Sequence, residues 1–142
     1  SLGVNLMQAL VKAAAQVLGD NFDVEIIEKH HNLKKDAPSG TALMLADSVN
    51  EAFDNAKRYV KGRDGIVGAR EKNEIGIHAV RGGTIVGEHE VMFAGEDEII
   101  TITHSARSKR VFAAGAIRAA KFLNGKAAGR YEMKDLLAEE NN

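Results

Sequence analysis

The residues best suited to chemistry in this chain lie in one short segment that begins with two adjacent histidines, His30 and His31. Two lysines, Lys34 and Lys35, follow closely, and the segment ends at Thr41. Imidazoles exchange protons near neutral pH, and ammonium groups bind anions. Proton transfer beside an anion pocket is what an enzyme acting on a small carboxylate needs. The segment therefore predicts a site for a small anionic substrate.

The end of this segment also carries the signal for a helix start. Pro38 and Ser39 open a predicted helix, and serine is a favoured N-cap residue. The first N–H groups of a helix lack intrahelical acceptors, so those of Gly40 and Thr41 are available to a carboxylate. A glycine also lets a ligand approach the backbone closely. The capping and ligand-binding interpretations are compatible with each other.

Each candidate residue also has a structural interpretation. Neighbouring residues on a regular strand face opposite sides, so His30 and His31 meet one ligand only if the strand has ended. Lys34 is closer to the histidines in turn geometry, which makes Lys34 the functional candidate and Lys35 a surface residue. Arg81 either adds positive charge to the anion pocket or flanks a turn.

The remaining histidines are spread over predicted strands: His78, His89 and His104. Glu88 and Glu90 flank His89, but strand alternation places them on the opposite face. We therefore predict no metal site, and a metal-dependent hydrolase remains a minority alternative. The glycines between Gly62 and Gly68 have the wrong spacing for G-x-G-x-x-G, and no P-loop occurs. The chain thus has no dinucleotide-binding motif of its own.

Composition favours one ordinary globular domain. The 142 residues are 44% hydrophobic and 27% charged, which suffices for a hydrophobic core. The net charge of −1 does not favour nucleic-acid binding. The absence of cysteine excludes disulfides and thiolate metal sites and fits a cytoplasmic protein. No signal peptide or membrane span is expected. A start at Ser1 without methionine suggests a piece of a longer polypeptide.

Hydrophobic periodicity and turn residues predict the following elements. Helices are expected over 3–18, from Ser39 to near Tyr59, over 108–124 with Phe112, Ala116, Ala119 and Leu123 inward, and over 133–140. Strands are expected over 23–29, 74–81, 84–94 and 98–105. Gly82-Gly83 is expected to join the second and third strands as a hairpin. This order predicts an α+β fold with a mixed, mostly antiparallel four-stranded sheet and helices on one face.

The run from Glu25 to Ala42 closely resembles the signature of dihydrodipicolinate reductase, a family that makes tetrahydrodipicolinate on the diaminopimelate route to lysine. The resemblance spans nearly the whole chain. The start, Ser1 to Asn5, is similar to the hinge that enters the family's substrate domain. Two later runs, 81–89 and 112–116, are similar to its other motifs.

This resemblance implies one half of a two-domain enzyme. The family's N-terminal Rossmann domain, which binds NADPH or NADH, is absent, so the chain alone is expected to be inactive. Residues 1–108 would bind a small dicarboxylate substrate and build a homotetramer through the sheet. Residues 109–142 would pack on the nucleotide-binding domain. The alternative is a non-catalytic oligomerisation or ligand-sensing module of the same fold.

The resemblance also assigns roles by position. His30 would be the general acid that protonates the substrate ring, and Lys34 would assist catalysis by polarising the substrate. His31 and Lys34 would bind the substrate, and Gly40 and Thr41 would hold a carboxylate. One departure is Lys109, where the family commonly has arginine. Lysine keeps the charge but loses the planar fork of donors.

Overall fold

A computed structural model of the protein describes residues 1–140. The helices are α1 (Leu2–Leu18), α2 (Gly40–Asn50), α3 (Arg110–Leu123) and α4 (Met133–Glu140). The strands are β1 (Asp23–His30), β2 (Arg58–Lys61), β3 (Glu74–Arg81), β4 (Glu88–Ala94) and β5 (Ile99–Ser105). The α+β class is therefore confirmed.

The sheet has five strands within the described residues, in the order β2-β3-β1-β4-β5. β1 pairs in parallel with β3, and β2 also pairs in parallel with β3. β4 is antiparallel to both β1 and β5. The expected four-stranded, mostly antiparallel sheet is thus corrected to five strands with two parallel and two antiparallel pairings.

The hairpin predicted at Gly82-Gly83 is wrong, because β1 lies between β3 and β4 in the sheet. Gly82 and Gly83 instead lie alongside the end of β1 and the residues that follow it, to which they are hydrogen-bonded. The N–H of Gly82 donates to the carbonyl of His30, and the N–H of Asn32 donates to the carbonyl of Gly83. The turn between β4 and β5 is closed by the bond from the Gly95 N–H to the Glu98 carbonyl.

One face of the sheet carries the hydrophobic core. Alternation along β1 directs Val24 and Ile26 to this face, where both are fully buried. The core cluster contains residues from α1, α2 and the strands: Met7, Val11, Ala15, Val24, Ile26, Ala42, Leu45, Ala46, Val49, Ile75, Ile77, Val91 and Phe93. The helices α1 and α2 cover this face, as predicted.

Helix α1 together with the turn that follows it, Leu2–Asn21, is long and apolar enough to cross a membrane, judged by length and composition alone. This differs from the expectation that no segment would reach that length. The helix nevertheless packs as a core helix does, because Val4, Met7, Val11 and Ala15 are buried at helical spacing.

Helix α2 ends about nine residues earlier than its apolar pattern predicts, and the strand β2 takes the place of its expected end. Asp54 and Asn55 adopt left-handed backbone conformations, which interrupt a helix. The Asn50 side chain then bonds both the N–H and the carbonyl of Lys57. These bonds reverse the chain and direct it into β2.

Helix α3 buries none of its residues. Its expected inward residues Phe112 and Leu123 are 43% and 48% exposed, and Ala116 is also exposed. Only Ala119 of the predicted set is partly covered. The apolar surface of α3 is therefore largely open in this chain.

Candidate active site

The candidate site lies at one end of the sheet, where the parallel strands β1 and β3 finish. β1 ends at His30, β3 ends at Arg81, and the antiparallel β4 begins nearby at Glu88. Helix α2 begins directly after the loop that follows β1, with Ser39 as its N-cap. The carboxyl ends of parallel strands are where α/β sheets commonly bind ligands.

A fully buried carboxylate, that of Glu28, lies at the centre of this site. Alternation along β1 places Glu28 on the core face with Val24 and Ile26. Its two oxygens accept from both terminal nitrogens of Arg81 at 2.8 Å and from the Ser39 N–H at 3.0 Å. His30 Nδ1 lies 2.6 Å from Glu28 Oε2. The carboxylate therefore has two partners on each oxygen.

These partners keep Glu28 ionised in spite of its burial. Burial alone raises the pKa of a carboxyl group. The hydrogen bonds from Arg81, His30 and the Ser39 N–H outweigh that effect and lower the pKa of Glu28 below its usual value. An ionised carboxylate is acceptor-only, and His30 Nδ1 lies within hydrogen-bond distance of it.

The other nitrogen of His30 is directed towards Gly87. A Cβ atom at position 87 would come within 3.1 Å of His30 Nε2. Glycine at this position therefore leaves room beside Nε2 for another group. The His30 side chain is 12% exposed, so the imidazole is held in place but not sealed off.

A second imidazole, that of His89, packs edge-on against His30 with ring centroids 5.2 Å apart. His89 Nε2 bonds Ser39 Oγ at 2.9 Å, and the same Oγ accepts from the Ala42 N–H. Burial, followed by the nearby His30, lowers the pKa of His89 to about 4. His89 is therefore neutral at pH 7 and acts as a support for the helix cap.

Lys34 lies in the loop between β1 and α2, with its side chain 20% exposed. Its ammonium donates to Asp36 Oδ1 at 2.8 Å and lowers the pKa of that carboxyl. Arg81 donates to the backbone carbonyl of Asp36 at 2.8 Å. Arg81 thus connects the buried Glu28 to the loop that carries Lys34.

The predicted substrate-binding residues lie along the same loop and the start of α2. His31 is the first residue after β1 and is half-buried, so the strand ends where a shared ligand would require. Gly40 and Thr41 form the first turn of α2, Gly40 exposed and Thr41 half-buried. The structure therefore brings the predicted residues to one end of the sheet.

Sequence reasoning missed Glu28 and assigned no function to Ser39 beyond capping. A signal for Glu28 was present, because strand alternation puts it on the same face as Val24 and Ile26, and a buried carboxylate requires partners. Within residues 1–140, no three acidic or histidine side chains are arranged to hold a metal ion. The metal-dependent hydrolase alternative therefore has no support from this geometry.

The fold and the site together define an α+β domain with an oriented imidazole beside a cationic loop and a helix N-terminus. The family profile described as "Dihydrodipicolinate reductase, C-terminus" matches residues 3–137. The chain therefore belongs to the dihydrodipicolinate reductase family and corresponds to its C-terminal part.

The relatives agree with this assignment. A 4-hydroxy-tetrahydrodipicolinate reductase from Caldanaerobacter subterraneus subsp. tengcongensis is 61% identical over 137 residues, which cover 96% of this chain and 54% of the relative. The reductase of the same name from Clostridium novyi is 52% identical over 141 residues, covering 99% of this chain and 56% of the relative. The chain thus spans about half the length of the curated relatives it matches.

A solved structure shows the same fold. Dipicolinate-bound dihydrodipicolinate reductase from Paenisporosarcina sp. TG-14 matches 80% of this chain and 44% of that chain, with a TM-score of 0.58 and 30% identity.

Proposed function

We propose that this chain is the substrate-binding and catalytic domain of an NAD(P)H-dependent reductase that converts 4-hydroxy-tetrahydrodipicolinate to tetrahydrodipicolinate in diaminopimelate and lysine biosynthesis. The observation that carries the proposal is the hydrogen bond from His30 Nδ1 to Glu28. It leaves Nε2 beside Gly87 at the end of the sheet that also holds Lys34 and the α2 N-terminus.

The substrate would be a small dicarboxylate, as the bound dipicolinate of the Paenisporosarcina structure suggests. An ammonium group has three donors, so Lys34 can bind one carboxylate while keeping its bond to Asp36. The N–H groups of Gly40 and Thr41 would bind the same carboxylate at the positive end of the α2 dipole. His31, just after β1, would contribute a further donor.

The chemical step assigned to this chain is proton donation. In its cationic form His30 carries protons on both nitrogens, with Nδ1 bonded to Glu28 and Nε2 facing the substrate. Transfer of the Nε2 proton to the ring breaks the N–H bond and leaves its electron pair on Nε2. Lys34, close to the bound carboxylate, would stabilise negative charge as it develops.

The hydride would come from NADPH or NADH bound by the other half of the full-length protein. The turn after β1 contains histidines and lysines rather than a glycine-rich phosphate loop, so we assign the nucleotide phosphates to that other half. Residues 109–142 would pack on that other half, which the exposed Phe112, Ile117 and Leu123 of α3 support. The chain alone would then be inactive.

Residues 1–108 would also mediate assembly into a cytoplasmic homotetramer. Part of the sheet face opposite α1 and α2 is open in this chain. It carries Val80 and Ile99, which are 44% and 64% exposed, and a second copy would cover them. A non-catalytic module of the same fold is the alternative function, and the intact His30 and Lys34 argue against it.

Two experiments test the proposal. The first is an NMR amide-shift titration of this chain with dipicolinate, with NADPH in parallel. We expect shifts at His31, Lys34, Gly40 and Thr41 with dipicolinate and none with NADPH. If dipicolinate gives no shifts, the same titration of a full-length reductase carrying this domain decides whether the pocket needs the other half; no shifts there would refute the proposal.

The second experiment replaces the acid, His30→Gln, in such a full-length reductase. A positioned general acid contributes about 10²–10⁴-fold to a rate, so we expect kcat to fall by that order with little change in KM. A loss confined to KM would mean that His30 binds the substrate but does not donate the proton.

A further inference from the structure

Glu28 has four hydrogen-bond partners, and they are of two kinds. Of its four donors, three belong to groups that can only donate: the two Arg81 nitrogens and the Ser39 N–H. The fourth, His30 Nδ1, belongs to a ring that can either donate or accept. The first three donors hold the carboxylate in one orientation, and that orientation determines what His30 must do.

We propose that Glu28 is a positioning residue that fixes His30 in the Nδ1–H tautomer and so keeps Nε2 as the nitrogen that serves the substrate. Glu28 itself lies fully inside the protein and does not touch the substrate. The tautomer assignment stands on the geometry alone. Its catalytic consequence rests on the proposed function, in which His30 is the acid.

The arrangement matters because only one of the two tautomers is the product of proton donation from Nε2. When the imidazolium gives up its Nε2 proton, the neutral ring that remains carries its hydrogen on Nδ1. Glu28 accepts a hydrogen bond from that nitrogen before and after the transfer. The carboxylate therefore stabilises the imidazolium and needs no rearrangement during the step.

Replacing Glu28 with glutamine should reverse this preference. The amide has one oxygen and one NH₂ group, and the Ser39 N–H must face the oxygen because it can only donate. The NH₂ group then replaces Oε2 and faces both His30 Nδ1 and one Arg81 nitrogen. The Arg81 nitrogen can only donate and must turn away, whereas His30 Nδ1 can accept if it has no hydrogen. Glu28→Gln is thus expected to shift neutral His30 to the Nε2–H tautomer, and an Nε2–H imidazole is a very weak acid.

The test is ¹⁵N NMR of histidine-labelled chain at alkaline pH, where an ordinary imidazole is neutral. In the unsubstituted protein we expect His30 to show a protonated Nδ1 and an unprotonated Nε2. In Glu28→Gln we expect the opposite, an unprotonated Nδ1 and a protonated Nε2. A protonated Nε2 in the unsubstituted chain would overturn the proposal, and this result does not depend on whether the variant folds.

A matched control is Glu25→Gln on the same strand. Glu25 has the same short contact to an imidazole, 2.6 Å from His78 Nε2, but it faces the opposite side of the sheet. This variant should leave the His30 signals unchanged. If Glu25→Gln alters the His30 tautomer as Glu28→Gln does, the effect comes from general disturbance of the sheet and the proposal fails.

Kinetics of the full-length reductase then separate this proposal from the proposed function. We expect Glu28→Gln to lower kcat by about 10²-fold, within the range that an acid contributes, with KM little changed. If Glu28→Gln shifts the His30 tautomer but leaves kcat unchanged, Glu28 still positions His30, and His30 is refuted as the acid. An unshifted tautomer would refute the positioning role, whatever the activity.

Discussion

The carboxylate of Glu25 offers a quantitative test of how this sheet is stabilised. It lies across Gly76 on the outer face, where a Cβ atom would collide with its oxygens. Arg63 donates two hydrogen bonds to it, at 3.0 and 2.9 Å. Arg70 donates one through Nε at 2.9 Å, and His78 Nε2 lies at 2.6 Å. Glu25→Gln removes the charge that these groups share.

The size of the effect follows from the pKa of Glu25. Burial opposes ionisation, but the bonds from Arg63, Arg70 and His78 lower this pKa from 4.5 to about 2. The side chain is only 12% exposed, so solvent screens it little. The difference of about 2.5 pKa units corresponds to roughly 3 kcal/mol of stability at pH 7.

The sign of the pH dependence follows from linkage. The unfolded chain takes up a proton at Glu25 near pH 4.5, whereas the folded chain resists protonation until about pH 2. The stabilisation is therefore complete above about pH 5 and declines as the pH falls towards 2. Between pH 7 and pH 3 the loss amounts to about 2 kcal/mol.

Urea unfolding followed by far-UV circular dichroism at pH 7 and pH 3 measures this directly. We expect the unfolding free energy of the unsubstituted chain to fall by about 2 kcal/mol more than that of Glu25→Gln. Glu90→Gln, on the same face of the neighbouring strand β4 but outside this cluster, should keep the full pH dependence. Equal pH dependence in Glu25→Gln and the unsubstituted chain would refute the reasoning.

Three further predictions concern the site. Gly87→Ala places a methyl group about 3.1 Å from His30 Nε2. We expect dipicolinate binding to weaken about tenfold in an NMR titration, with the melting temperature little changed. Undiminished affinity would contradict the assigned position of the substrate. Ser39→Ala removes the cap on the Ala42 N–H and should cost about 1–2 kcal/mol in urea unfolding, and a neutral result would show that water replaces the cap. Burial lowers the pKa of His89 to about 4, so His89 should stay neutral in an NMR titration down to that pH, and a midpoint near 6.5 would contradict its buried state. Because unfolded histidine protonates near 6.5, the burial of His89 should lower the unfolding free energy as the pH falls from about 6.5 to 4.

Local signals predicted most of the elements of this fold. The hydrophobic periodicity over residues 3–18 predicted α1, and the predicted helix over Met133–Glu140 is also confirmed. The strand over Glu74–Arg81 has the predicted bounds. These features depend on neighbours within a few residues, which is the information that periodicity contains.

The pairing between distant strands could not be predicted from such local signals. Gly82-Gly83 has the composition of a hairpin turn, but the hydrophobic β1 occupies the place between β3 and β4. Such competition involves residues about fifty positions apart, and no spacing rule reports it. The open face of α3 was mispredicted for a related reason, since the apolar pattern does not reveal whether a covering surface belongs to the same chain.

The same difference between local signals and distant contacts applies to the candidate site. His30, His31 and Lys34 could be proposed from the sequence because they lie close together and their side chains have evident chemistry. Glu28 lay only two residues away, but its role depends on Arg81, which becomes its neighbour through the parallel pairing of β1 with β3. The groups that orient the chemistry were therefore harder to predict than the groups proposed to perform it.

The pairing of Glu28 with Arg81 also imposes an order on how the domain is made. The two residues are 53 positions apart, so a chain emerging from the ribosome presents β1 and α2 well before the cation that neutralises Glu28. A carboxylate without a partner resists burial, which keeps this end of β1 hydrated until β3 arrives. The parallel pairing of β1 with β3 is therefore also the event that gives Glu28 its cation.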